Sequence, residues 1–151
     1  EQSRRHATGL LSAAGIDPAR LRFLPPARDT RSHLAAYGQL DIALDTFPFN
    51  GATTTCESLL MGVPVVSIAG ATHAARVGLS LLTGAGLGEL CVSDPAAFAP
   101  AVAALAADRA RLASLQAGLR SRLLASPLCD ARGFADRFYA AMRAHAPQRR
   151  A

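Results

Sequence analysis

The sequence predicts an α/β fold: a Rossmann-like, doubly wound parallel sheet with extra C-terminal helices. Two observations carry that prediction. Short apolar or β-branched runs (LRFL, DIALD, PVVSI and ELCV) alternate with segments of helical spacing, and alternation on this period implies parallel strands with helices on both faces. After the last such run come helical segments only, the first opened by Asp94-Pro95 and the second by Asp108.

Ser3 to Ala14 place Leu10, Leu11 and Ala14 on one side of a helix that stops at Gly15. Asp17-Pro18 turns the chain into a strand over Leu21 to Leu24, which Pro25-Pro26 ends. Asp29 or Thr30 caps a short helix, Ser32 to Tyr37, that stops at Gly38 before the DIALD strand. From Asp41 to Val66 the chain reads as one βαβ unit, with Cys56, Leu59 and Leu60 at helical spacing between two strands. A loop at Gly70 to Thr72 leads to a helix interrupted by Gly78 and closed by Gly84, Gly86 and Gly88. ELCV is the fourth strand, and Asp94-Pro95 opens the next helix with Pro100 near its first turn. Asp108 to Ala125 carries Leu112, Leu115, Leu119 and Leu123; Ala131 to Ala144 repeats the stripe with Phe134, Phe138 and Met142.

A chain of 151 residues is long enough for one domain with a real core, so residues 1–151 are expected to form a single domain. It opens on a helix where a doubly wound domain opens on a strand, which points to a fragment lacking its first strand and a preceding domain. Half of the residues are hydrophobic, 18% are charged and mean hydropathy is +0.20, so the chain should fold. No apolar run approaches the roughly 18 residues of a membrane helix, and EQSRRHATGL lacks the apolar core of a signal peptide. A cytoplasmic protein without membrane association is expected. Net charge is +5 without any lysine, and the arginines are spread out, paired only at Arg4/Arg5 and Arg149/Arg150 with no interleaved aromatics. Nucleic acid is therefore not an expected partner. Cys56, Cys91 and Cys129 are far apart and outside any CxxC spacing, which indicates neither disulfide nor zinc site; Cys56 and Cys91 read as small core residues.

Ligands of open α/β sheets sit beyond the carboxyl ends of the strands, here the loops after Leu24, Asp45, Ile68 and Val92. The loop after Asp45 ends in NGATTTCE, and a helix beginning near Thr53 leaves the amides of Thr53, Thr54 and Thr55 without intrahelical acceptors. Asn50, Gly51 and the threonine hydroxyls converge there with the positive end of a helix dipole, a suitable setting for a diphosphate. Glu57, one turn past Thr53, can accept hydrogen bonds from ribose hydroxyls. The same residues also suit an ordinary helix start, one threonine capping it and Glu57 serving as a first-turn acid. His33 either stacks on a base or sugar or is simply exposed. Arg76 either faces a diphosphate or pairs with an acid at the sheet rim. Asp45 binds a ligand or the loop amides. GxxxxGK[ST] is absent, no GxGxxG joins a strand to a helix, and GAGLG reads as a helix stop. Neither a Ser-His-Asp order nor HExxH occurs, so the residues alone leave the reaction unassigned.

The run LDIALDTFPFNGATTTCESLLMGVPVVSIAGATHAARVGLSLL, Leu40 to Leu82, resembles the SPINDLY-like O-GlcNAc transferase family, as does ASPLCDARGFADRFYAAMRA further on. The resemblance implies the carboxyl-terminal, UDP-binding half of a GT-B catalytic region. It further implies metal-independent, inverting transfer of N-acetylglucosamine from UDP-GlcNAc to serine or threonine, without a cofactor. The protein acceptor would be held through an absent N-terminal half, with TPR repeats upstream. By position, Thr53 and Thr54 match the residues at the pyrophosphate, Glu57 the ribose-bonding acid and His33 a histidine near the uridine. Ala52 stands where some members carry a phosphate-contacting histidine, and Thr30 where a lysine can occur. UDP-glucose as donor, or a non-catalytic α/β interaction module, are the alternative expectations.

Overall fold

The computed structural model describes residues 1–145; the Arg149/Arg150 pair lies outside them. The chain divides into two compact units, Glu1–His33 and Leu34–Ala151.

In the first unit, α1 (Gln2–Ala13) ends at Gly15, whose φ of +85° is open to glycine at little cost. Asp17 accepts from the Ala19 amide at 2.9 Å and starts a 3-10 turn, Pro18–Arg20. Arg4 lies over the Phe23 ring. The predicted strand at Leu21–Leu24 is not observed: these residues join no ladder among the described residues. Four apolar residues before a Pro-Pro pair have strand composition, but a strand also requires a paired neighbour. α2 (Thr30–Ala36) starts beside Asp29, whose Oδ1 accepts from the Ser32 amide at 2.7 Å. The amide and hydroxyl of Ser32 hold the Asp29 carboxyl below the usual aspartate value.

The second unit is the α/β domain. Among the described residues its sheet is parallel and has three strands, not four, in the order β1 (Ala43–Leu44), β2 (Val65–Ile68), β3 (Cys91–Val92). Ala43 pairs with Val65 and Ser67 with Cys91. DIALD and ELCV each contribute only two ladder residues. α3 (Thr53–Leu60) joins β1 to β2, and α4 (Val77–Gly84) joins β2 to β3. After β3, α5 (Phe98–Ala107) follows the Asp94-capped turn with Pro100 in its first turn, where no amide is missed. Asp108 caps α6 (Arg109–Leu124) by accepting from the Arg111 amide at 2.9 Å.

β2 is buried along its whole length, as a central strand should be. Its Val65 and Val66 meet Leu59 of α3, Leu82 of α4, Leu105 of α5 and Leu112, Leu119 and Leu123 of α6 in one core. Two helices differ from expectation. α4 begins five residues later than its sequence segment, and Gly78 does not interrupt it but lies buried in its first turn. α7 (Ala131–His145) forms as predicted, yet none of its residues is buried: Phe134 is 63% exposed and Phe138, Tyr139 and Met142 are exposed too. Its apolar stripe is left uncovered by the described residues. No described helix is long and apolar enough to cross a membrane.

Candidate functional site

The loop between β1 and α3 is folded around Asp45. Its Oδ1 accepts from the amides of Thr46 (2.9 Å) and Gly51 (2.7 Å), and its Oδ2 from the Ser67 hydroxyl at 2.6 Å. The hydroxyl of Thr46 donates to the Phe49 carbonyl. Between the two possibilities left for Asp45, the structure has the carboxylate occupied by loop amides. Gly78 allows this arrangement, because a Cβ there would stand 2.6 Å from Asp45 Oδ2 and closer still to the Ser67 hydroxyl.

Asn50 is 1% exposed and stitches three segments together. Its Nδ2 donates to the carbonyls of Thr46 (3.0 Å) and Ile68 (3.4 Å), and its Oδ1 accepts from the Gly78 amide at 3.2 Å. Both polar atoms of its side chain are bonded within the protein, to the loop, β2 and α4. The Gly51 amide is held by Asp45. What the position supplies is room, because a Cβ would meet Thr54 Oγ1 at 2.5 Å and Thr55 Oγ1 at 3.1 Å.

With the loop fixed, α3 opens at Ala52, a residue with no capping side chain. The first intrahelical bond runs from the Cys56 amide to the Ala52 carbonyl, which leaves the amides of Thr53, Thr54 and Thr55 without an intrahelical acceptor. A threonine cap is thus not what occupies this helix start. Thr53 and Thr54 expose their side chains, whereas Thr55 is buried and donates its hydroxyl to the Gly51 carbonyl at 2.9 Å. Three amides, two exposed hydroxyls and the positive end of the helix dipole form a setting for an anion.

Glu57 lies beyond the first turn of α3. Its Oε2 accepts from the Tyr37 hydroxyl at 3.3 Å, and the same hydroxyl is 3.3 Å from the Thr54 carbonyl. Tyr37, Leu44, Asp45, Thr54, Thr55 and Ser58 line a cleft of about 170 Å³. Burial, then the charge of Glu57 and the hydrogen bond to it, push the Tyr37 phenol above its ordinary range. Tyr37 and Ser67 went unnoticed in the sequence. A polar residue inside the otherwise apolar run PVVSI, and an aromatic with a polar tip just before the first strand of the βαβ unit, were the available signals.

The other candidates are placed as follows. Arg76 is the exposed N-cap residue of α4 and donates to the Gly70 carbonyl at 3.3 Å. His33 is exposed on α2, in the first unit. Cys56 and Cys91 are half-buried, and burial pushes both thiols up, away from the thiolate form a nucleophile needs.

Residues 3–138 match glycosyl transferase family 41. The chain is 45% identical over 124 residues to the rice (Oryza sativa subsp. japonica) protein described as a probable UDP-N-acetylglucosamine–peptide N-acetylglucosaminyltransferase SPINDLY, covering 82% of this chain and 13% of that protein. The Arabidopsis thaliana protein of the same description is 43% identical over 125 residues, covering 83% of this chain and 14% of its own length. In structure, the chain resembles a mutant O-GlcNAc transferase of Thermobaculum terrenum with a TM-score of 0.84 and 36% identity, over 93% of this chain and 27% of that one. It thus spans about a seventh of these plant relatives and about a quarter of the solved chain. Matched over nearly its whole length in sequence and in fold, the chain belongs to glycosyl transferase family 41, the O-GlcNAc transferase family.

Proposed function

We propose that this chain is the donor-binding domain of a protein O-GlcNAc transferase, a domain that holds UDP-GlcNAc for inverting transfer to serine or threonine. The observation that carries this reading is the uncapped start of α3: three amides without intrahelical acceptors beside two exposed threonine hydroxyls. In this reading the first turn binds the diphosphate, and Glu57 takes the ribose hydroxyls. As the sugar departs, negative charge grows on the leaving phosphate, and fixed amides at a helix start stabilise it without reorganising. The helix start supplies the positive field, so the site asks for no metal. The plant relatives are described as transferring N-acetylglucosamine from UDP-N-acetylglucosamine to peptides, which supports the same donor and acceptor class here. The acceptor is then positioned by parts of a longer enzyme outside these 151 residues.

Calorimetric titration with UDP tests the reading. Hydrogen bonds to charged groups contribute about 1.5–3 kcal/mol, so Thr53→Ala and Glu57→Ala should each weaken UDP about tenfold or more. Thr53 is exposed, so Thr53→Ala should keep a thermal stability near wild type, while half-buried Glu57 also loses its bond from Tyr37 and Glu57→Ala should melt somewhat lower. No heat from millimolar UDP with the folded chain, or unchanged affinity in both variants, contradicts the reading.

A further inference from the structure

Glu57 is a long side chain, and a carboxylate that reads two ribose hydroxyls must be held in one orientation. At the cleft the Tyr37 hydroxyl donates to it, 3.3 Å from Glu57 Oε2. The same oxygen sits 3.3 Å from the Thr54 carbonyl, which belongs to the turn whose amides face the anion. A phenol carries a single proton, so it is shared between these acceptors, and Tyr37 lines the cleft together with Leu44, Asp45 and Ser58. Tyr37 opens the 3-10 turn before β1 and its hydroxyl reaches α3, so the bond ties the segment that leads into the βαβ unit to the helix of that unit.

We infer that Tyr37 is a positioning residue for donor recognition, fixing the Glu57 carboxylate at a set distance from the first turn of α3 so that ribose and diphosphate are read together. This rests on the donor-site reading above. An ionised carboxylate has about four acceptor sites, so it can accept from the phenol and from ribose hydroxyls together. The upward push on the Tyr37 phenol by burial and by Glu57 keeps it a donor through neutral pH. Without the hydroxyl, Glu57 still carries its charge but loses one of the bonds that orient it, and discrimination for the ribose falls before affinity for the diphosphate does.

The test compares UDP with 2′-deoxyUDP on four forms of the chain: wild type, Tyr37→Phe, Glu57→Ala and the double variant. Phe keeps the ring and its packing, and thermal unfolding of each form confirms that the fold is retained. The expected result is that wild type prefers UDP and that Tyr37→Phe reduces this preference about fivefold, the scale of a long hydrogen bond shared between two acceptors. Glu57→Ala abolishes the preference, and adding Tyr37→Phe to it changes nothing further. A Tyr37→Phe chain with the wild-type preference, or a double variant in which the two losses add, overturns the role of Tyr37 and leaves the donor site standing. A wild type that binds neither nucleotide, or a Glu57→Ala chain with undiminished preference, overturns the donor-site reading and the inference with it.

Discussion

Replacing Asp45 should collapse the loop that presents the start of α3, and the size of the effect follows from its three hydrogen bonds. In Asp45→Ala, the Thr46 amide is exposed and rehydrates, but the Ser67 hydroxyl is 0% exposed and the Gly51 amide is half-buried. Each of these two loses a bond to a charged acceptor, about 1.5 kcal/mol at the low end, for a total near 3 kcal/mol. For a domain of this size that lowers Tm by roughly 6–12 °C. Asp45→Asn should cost about half as much, because its carbonyl can still serve Thr46 and Gly51 while the Ser67 hydroxyl turns to accept from the new amide. Thermal unfolding followed by circular dichroism reads both variants, and a UDP titration at low temperature reads the loop. An Asp45→Ala chain that melts within about 2 °C of wild type refutes the claim that this carboxylate organises the loop.

Three further outcomes follow from the same geometry. Gly51→Ala places a methyl 2.5 Å from Thr54 Oγ1 and should displace that side chain, weakening UDP about tenfold while costing about 1–3 kcal/mol of stability; unaltered binding counts against the close approach at Gly51. Tyr37 has a folded value raised above its ordinary 10, so its contribution to stability is complete below pH 10 and is lost as pH rises through the folded value. Cys56 and Cys91 add their own alkaline losses, so the urea midpoint of wild type minus that of Tyr37→Phe should shrink above pH 10; a constant difference contradicts the Tyr37–Glu57 coupling. Supplied with UDP-GlcNAc and a protein acceptor, the 151-residue chain alone should transfer no sugar, and glycosylated acceptor in a mass spectrum would contradict the division of labour proposed above.

Local signals in the sequence located most elements because local rules set them. Asp17, Asp94 and Asp108 cap the turns and helix they precede, and Gly15 and Gly86 adopt the positive φ expected of helix stops. The start of α3 was legible for the same reason: orphan amides follow from the helix boundary alone. What stayed hidden depends on partners distant in the chain. Asn50 and Gly51 read as the end of an anion-facing loop, yet Asn50 bonds Ile68 and Gly78, 18 and 28 residues away, and no local pattern announces that. The role of Ser67 likewise exists only once β2 lies beside Asp45. Leu21–Leu24 shows the converse error, strand composition without a strand, and α7 shows an amphipathic stripe whose helix forms while Phe134 and Phe138 stack on each other at 6.1 Å, both exposed. Periodicity reports that a face is apolar and leaves open what covers it.

The central claim, that the uncapped first turn of α3 is where the nucleotide diphosphate binds, is tested most directly by following backbone amide NMR resonances during a UDP titration. The account predicts the largest saturable shifts at Thr53, Thr54 and Thr55, with smaller ones at Glu57 and Tyr37. Saturable shifts confined to other elements, or none at millimolar UDP, would contradict it.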